Sequence, residues 1–197
     1  MHTKNDAADI FRQLAEGVGH SGSPRFYATL VERLATILGV DHVLVADVTQ
    51  LHQAETLAVW SNGGLLSNIT YSLTGTPCET ALGRECCLYT RDVQSRFPDD
   101  KLLCELGAES YLGRALYASD GSLIGLLAVL KNAPMQLGEL ANEILRIAAA
   151  QAGAELGRQK AEQALRKSEE VARESERRLD TLLNHLPGMA YRCLNDR

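Results

Sequence analysis

Cysteine is the residue type in this sequence whose chemistry most directly suggests an activity. The chain of 197 residues contains five cysteines, and Cys78 follows Thr76 and Pro77, which predict the start of a short helix. A helix N-terminus favours the thiolate that a nucleophile or a redox sensor needs. The odd count, the irregular spacing and the lack of a CxxC pair argue against a disulfide framework and a zinc site. We therefore predict reduced cysteines and no metal site.

Other catalytic chemistry has no support in the sequence. His42, His52 and His185 stand apart from one another and have no cysteine or carboxylate neighbours at ligand spacing. The sequence contains no P-loop, GxSxG or HExxH pattern. We predict no catalytic residues and a fragment that is not itself an enzyme.

The composition argues against two further classes of function. The formal net charge is −5, and basic residues are always interspersed with acidic ones, so no surface for nucleic acid is expected. No apolar run approaches the ~20 residues that cross a bilayer, and the polar stretch from Met1 to Asp9 lacks the apolar core of a signal peptide. The sequence predicts a cytoplasmic fragment without membrane contact.

The elements that position these residues follow from the hydrophobic periodicity. Apolar residues at helical spacing predict one helix over 7–18 and a second from Ser23 to Gly39. Alternation of period two and β-branched residues then predict an antiparallel sheet, with Asp120-Gly121 as a hairpin turn. The predicted strands are 43–48, 55–60, 68–73, a strand around 87–89, 110–117 and 123–130, with short helices after Thr76 and near 101–106. The fold class is therefore α+β.

A long helix is predicted at the end of the chain, over residues 136–186. No proline occurs between Pro134 and Pro187, and apolar or small residues repeat at alternating steps of three and four. Such a helix would be roughly 70 Å long, and we expect it to leave the preceding domain. The apolar residues of this heptad frame that we expect at a dimer interface are Leu140, Ile144, Ile147, Leu165, Leu179, Leu182 and Leu186.

The middle of this heptad frame carries weak core residues. Ala161, Ser168 and Ser175 occupy d positions where a stable dimeric coiled coil has leucine. Glutamate and arginine one turn apart, such as Glu174 and Arg178, support the single helix. A stable helix whose pairing is weak can rotate or change register at little free-energy cost, so we hypothesise that it transmits a signal. A passive spacer is the alternative.

The order of these elements and several short motifs resemble GAF domains over about residues 23–135. The region resembles in particular the GAF domains of bacterial signalling proteins that precede PAS domains, diguanylate cyclases or histidine kinases. Residues 187–197 are similar to the start of a PAS domain, which leaves 1–22 as an N-terminal helix and 136–186 as a signalling helix. The motifs that carry the resemblance are Leu38–Asp41, Gly75–Glu79, Phe97–Asp100, Gly107–Gly113 and Gly121–Val129.

The resemblance implies a sensory module with a six-stranded antiparallel sheet. Helices on one side would pack in a homodimer, and a cavity on the other side would accept a small molecule. Ordinary core packing is the alternative role for the aromatic and thiol residues, and Arg114 could either anchor a carboxylate or phosphate or lie solvated at a strand edge. The residues expected at the cavity are Trp60, Tyr71, Cys78, Tyr89, Cys104, Tyr111 and Arg114.

The chain departs from GAF domains whose ligands are well understood. Cys87 is followed by Leu88 and Cys104 by Glu105, so the cysteine–histidine pair that resembles bilin attachment is missing. The pattern of cyclic-nucleotide GAF domains is not recognisable either, and no cofactor is predicted. The alternative function is a thiol enzyme that resembles free methionine sulfoxide reductase, in which Cys78 and Cys104 would act together.

Overall fold

The computed structural model describes residues 23, 25–50, 52–84 and 86–185 of the chain. The predicted helix over 7–18, Leu186 and the predicted PAS start at 187–197 lie outside the described residues. The helices are α1 Phe26–Leu38, α2 Pro77–Leu82, α3 Val93–Arg96, α4 Lys101–Leu106 and α5 Glu139–His185. The strands are β1 His42–Gln50, β2 Gln53–Ser61, β3 Gly64–Leu66, β4 Thr70–Ser72, β5 Cys86–Tyr89, β6 Ser110–Tyr117 and β7 Leu123–Lys131.

The strands form one antiparallel sheet in the order β3-β2-β1-β7-β6-β5, and β4 also pairs with β2. The α+β class and the antiparallel arrangement are therefore confirmed. Within the described residues the sheet has seven strands, because β3 forms as an additional strand after the turn at Asn62-Gly63. The strand predicted over 68–73 is shorter and spans 70–72. The Asp120-Gly121 hairpin between β6 and β7 is confirmed, with Gly121 at φ 81°.

Each face of the sheet covers its own hydrophobic core. On one face, α1 and the first part of α5 pack against inward side chains such as Val43, Leu112 and Val129. On the other face, side chains of α2, α3 and α4 pack against Leu44, Tyr111 and Ala128. Successive strand residues point to opposite faces, so neighbours such as Tyr111 and Leu112 belong to different cores.

Small residues let the first part of α5 approach the sheet closely. A Cβ atom at Gly153 would lie 2.5 Å from the Tyr117 carbonyl oxygen, so only glycine fits there without a shift. Leu156 packs against Gly125 of β7: a Cβ at Gly125 would lie 3.1 Å from the Leu156 side chain. Ile144, Leu145, Ala148 and Ala152 are buried along the same helix. Ile144, predicted at the dimer interface, is therefore covered within a single chain.

The chain divides into two compact units, one ending at Arg158 and one starting at Gln159. In the second unit α5 continues as a regular helix to His185, which confirms the predicted long helix. The Glu174–Arg178 ion pair forms at 3.0 Å. Leu165, Leu179 and Leu182 are each more than half exposed in the single chain. Among the described residues, no helix has an apolar stretch long enough to cross a membrane.

Candidate functional site

A buried thiol between two tyrosines lies at the centre of the core under α2. The hydroxyl of Tyr111, on β6, donates to Cys78 Sγ at 3.3 Å, and the hydroxyl of Tyr71, on β4, lies 3.8 Å from the same sulfur. Cys78 and Tyr111 are buried, whereas Tyr71 is partly exposed. The structure thus brings together three of the predicted residues from three separate elements.

Local sequence explains the placement of Cys78 and Tyr111. Thr76 caps α2 by accepting a hydrogen bond from the Glu79 amide, and Pro77 occupies the first turn, so Cys78 starts the helix facing the sheet. Gly113 lies two residues after Tyr111 on the same face of β6. A Cβ at Gly113 would clash with the Tyr111 hydroxyl and lie 2.8 Å from its Cζ atom, so glycine leaves the room that the ring occupies.

Burial keeps the thiols of this core neutral near pH 7. It raises the pKa of Cys78 to about 11, although the hydrogen bonds from Tyr111 and Tyr71 partly oppose the shift. Burial likewise raises the pKa of Cys87, which donates to the Pro77 carbonyl at 3.4 Å, to about 12. The position of Cys78 at a helix start therefore does not produce a thiolate, because burial outweighs the helix terminus.

Tyr89 extends the aromatic part of the same core. Its ring meets Phe97 edge to face at 5.2 Å between centroids and lies 6.4 Å from the Tyr111 ring. The Arg96 guanidinium lies 5.7 Å from the Tyr89 centroid. Tyr89, like Tyr71, Cys78 and Tyr111, therefore lies on the face of the sheet where the cavity was predicted.

A cavity of about 290 Å³ opens beside Tyr71, between the β4–α2 connection and the start of α4. Most of its lining residues carry a polar group in the side chain: Tyr71, Ser72, Thr74, Thr76, Asp99, Asp100, Lys101 and Leu102. Asp100 also caps α4, because its Oδ1 accepts a hydrogen bond from the Leu103 amide at 3.2 Å. Burial raises the pKa of this carboxyl above its ordinary value. The arrangement suits a small molecule that offers hydrogen-bond donors to the carboxylates.

Tyr71 was predicted at a cavity, whereas the threonines and charged residues of this lining were not assigned to any site. Asp99 and Asp100 belong to the Phe97–Asp100 motif that contributed to the resemblance. That motif is the sequence signal that could have placed the two aspartates at a site. Thr74 and Lys101 come from a loop and from a helix start, where no periodicity points to a ligand.

Of the predicted cavity residues, which all lie within the described ranges, only Tyr71 lines this cavity. Trp60 packs against the core on the α1 and α5 side of the sheet. Cys104 is exposed on α4, apart from the buried Cys78. Arg114 faces α5, and β6 lies between β5 and β7, so the interpretation of Arg114 as a solvated strand-edge residue is wrong. No cluster of potential metal ligands occurs within the part of the chain that the structure describes.

Comparison with known families settles the classification of this fold. The GAF domain model matches residues 24–156, which is more than half of the chain. The chain belongs to the GAF domain family. The match extends into α5, beyond residue 135 where the GAF region was predicted to end. The limits predicted for the separate domains stay predictions.

A solved structure has a similar fold at low sequence identity. The bacteriophytochrome RpBphP3 from the photosynthetic bacterium R. palustris matches with a TM-score of 0.63 and 12% identity. The match covers 91% of this chain and 44% of the bacteriophytochrome, so this chain spans less than half of that protein's length. No curated protein gives a significant match.

Proposed function

We propose that this GAF domain is a sensory module of bacterial signal transduction that binds a small molecule. The observation that carries the proposal is the cavity beside Tyr71, which lies next to the hydrogen-bonded Tyr71–Cys78–Tyr111 group. Tyr71 contributes to both, so a ligand that contacts its hydroxyl would also alter the bond to Cys78. We propose neither a bilin nor a cyclic nucleotide as the ligand, because the sequence lacks both motifs.

Native mass spectrometry of the purified chain tests ligand binding. We expect a small molecule that stays bound to the chain and is lost in Asp100→Asn, because asparagine still caps α4 but cannot act as a carboxylate. Asp92→Asn is the matched control, since Asp92 is exposed and lies outside the cavity. Equal retention by both variants would contradict this location, and no bound molecule in the parent chain would contradict the proposal.

We propose that the module itself does not catalyse a reaction. Two features favour this over the thiol-enzyme alternative: Cys78 is a neutral buried thiol, and Cys104 is exposed on a different helix. The nucleophile of such an enzyme is a thiolate, and the neutral buried thiol of Cys78 does not supply one. Turnover of free methionine sulfoxide that Cys104→Ser abolishes would contradict this part of the proposal.

The output is proposed to pass through α5 in a parallel, cytoplasmic homodimer. Support comes from Leu165, Leu179 and Leu182, which are apolar yet exposed by 57–62% in the single chain. Ala161, Ser168 and Ser175 would make their pairing weak and therefore adjustable. A PAS domain followed by a diguanylate cyclase or a histidine kinase is the proposed recipient.

Insertions after Lys160 test whether the register of α5 matters. One added residue shifts every later heptad position, whereas seven added residues restore the frame. In the chain joined to its output domain, we expect the first insertion to change the output and the second to preserve it. Unchanged output after the single insertion would leave α5 as a passive spacer.

A further inference from the structure

A second concave site lies on the opposite side of the sheet from the cavity beside Tyr71. It is a groove of about 380 Å³ between α5 and the end of β6 with its following turn. We name it the arginine groove and define it by Arg114, Tyr117, Ser119, Arg146, Ala150 and Ala154. All of these residues belong to the first compact unit.

The groove exists because small residues line the helix side. Gly153 brings α5 against the backbone of Tyr117, and the alanines beside it are too short to fill the space over β6. The walls therefore combine methyl groups, the Tyr117 side chain and backbone. Such walls suit an apolar body rather than a strongly hydrated ion.

The two charged side chains of the groove lining are both arginines. Arg114 Nε is buried and has no hydrogen-bond partner in the described ranges. Arg146 has an exposed side chain and forms an ion pair with Glu143 at 2.9 Å, so one acidic neighbour offsets part of the positive charge at the rim. A buried guanidinium N–H without an acceptor is costly, and an oxyanion would supply the missing acceptor.

We propose that the arginine groove binds a small organic carboxylate, with Arg114 holding the carboxylate and the alanine wall contacting an aliphatic or aromatic body. A guanidinium fork matches the two oxygens of a carboxylate, which a lysine ammonium cannot reproduce. This site is independent of the ligand proposed beside Tyr71. It lies under α5, so an occupant would contact the helix directly.

Titration calorimetry with octanoate on the full chain tests the proposal. We expect octanoate to bind, and Arg114→Gln to weaken its binding by about tenfold or more, because a charge-assisted pair is lost. Arg91→Gln is the matched control, since Arg91 is exposed and lies outside the groove, and it should leave binding unchanged. Equal affinities of the parent chain and Arg114→Gln would overturn the proposal.

A blocking variant and two further probes complete the test. Ala150→Leu keeps the helix but places a larger side chain in the groove from an exposed position, so it should weaken octanoate binding as well. Octanol or inorganic phosphate binding as tightly as octanoate would overturn the assignment of a carboxylate with an apolar body. Octanoate binding that disappears as the protein concentration rises would show that a second copy fills the groove, and would overturn it as well.

Discussion

At the scale of a single residue, the buried hydroxyl of Tyr27 lowers the stability of the fold. Its ring packs edge to face against Phe26 in the core under α1, but its buried hydroxyl has no hydrogen-bond partner among the residues described. Burial, followed by the nearby charge of Glu155, raises the pKa of this hydroxyl. The ring therefore stabilises the core while the hydroxyl does not.

Replacing Tyr27 with phenylalanine should preserve or increase stability. The variant keeps the ring and removes a buried donor that lacks an acceptor, so we expect up to about 1 kcal/mol of added stability in urea unfolding. Tyr117→Phe serves as the control, because Tyr117 is 42% exposed and should have little effect. A clear loss of stability in Tyr27→Phe would show that the hydroxyl has a partner.

The raised pKa of Asp100 makes the stability of the fold depend on pH. Its folded-state pKa is raised by burial, so the folded chain binds the proton more tightly than the unfolded chain. The contribution of this carboxyl to stability is therefore present below its ordinary pKa of 3.8. It is lost as the pH rises through the pKa of the folded state.

Asp100→Asn removes this titration while it keeps the cap on α4. We expect the variant to match the parent at low pH and to become the more stable of the two as the pH rises towards neutrality. Urea unfolding across this range measures the difference. A constant difference at every pH would contradict the raised pKa.

Gly113 tests how tightly the Tyr111–Cys78 hydrogen bond is built. Alanine at this position would collide with the buried Tyr111 ring, and we expect a loss of about 1–3 kcal/mol because the core is overpacked. Gly64→Ala is the matched control, since its Cβ would meet nothing within 4 Å. Equal stability of the two variants, measured by urea unfolding, would argue against a fixed position for the Tyr111 ring.

At the scale of elements, the contact between α5 and β6 depends on Gly153. Alanine normally stabilises a helix by about 1 kcal/mol relative to glycine. At Gly153 its Cβ would lie 2.5 Å from the Tyr117 carbonyl oxygen, so α5 must shift away from the sheet. The expected net effect on folding is opposite in sign to the helix propensity.

Gly153→Ala should lower the thermal stability of the GAF unit, with a loss of about 1–3 kcal/mol in the free energy of unfolding. Gly138→Ala just before α5 is the control, because its Cβ would meet no atom within 4 Å. Thermal unfolding followed by circular dichroism separates the two. A stabilised Gly153→Ala variant would mean that α5 does not rest on β6 as closely as described.

Periodicity predicted the elements of this fold better than it predicted the cavity. Strand alternation and the Asp120-Gly121 turn located β6 and β7, and the lack of proline located α5. The face to which a strand residue points depends on packing from elsewhere in the chain, so Trp60 and Arg114 were assigned to the cavity although each faces the α1 and α5 side. Thr74 and Lys101 reach the cavity only through long-range folding.

At the scale of the whole molecule, α5 is proposed to serve two roles. Up to Leu156 it completes the GAF core, with Leu145 and Ala148 fully buried. From residue 161 to residue 182 every side chain is exposed in the single chain, although the leucines keep their heptad positions. The proposed partner for this exposed apolar pattern is a second copy of the chain, and weak pairing would let the state of the GAF core change the helix pair.

Sedimentation equilibrium at micromolar concentration tests whether two copies of the chain pair through α5. We expect twice the chain mass of 21.5 kDa, and a dissociation constant that Leu182→Lys raises by about tenfold or more, since each leucine contributes on the order of 2 kcal/mol of burial. Thr181→Lys, at an adjacent position outside the heptad core, should leave the dimer intact. A mass of 21.5 kDa for the parent chain, or equal effects of the two lysine variants, would contradict signalling through paired α5 helices.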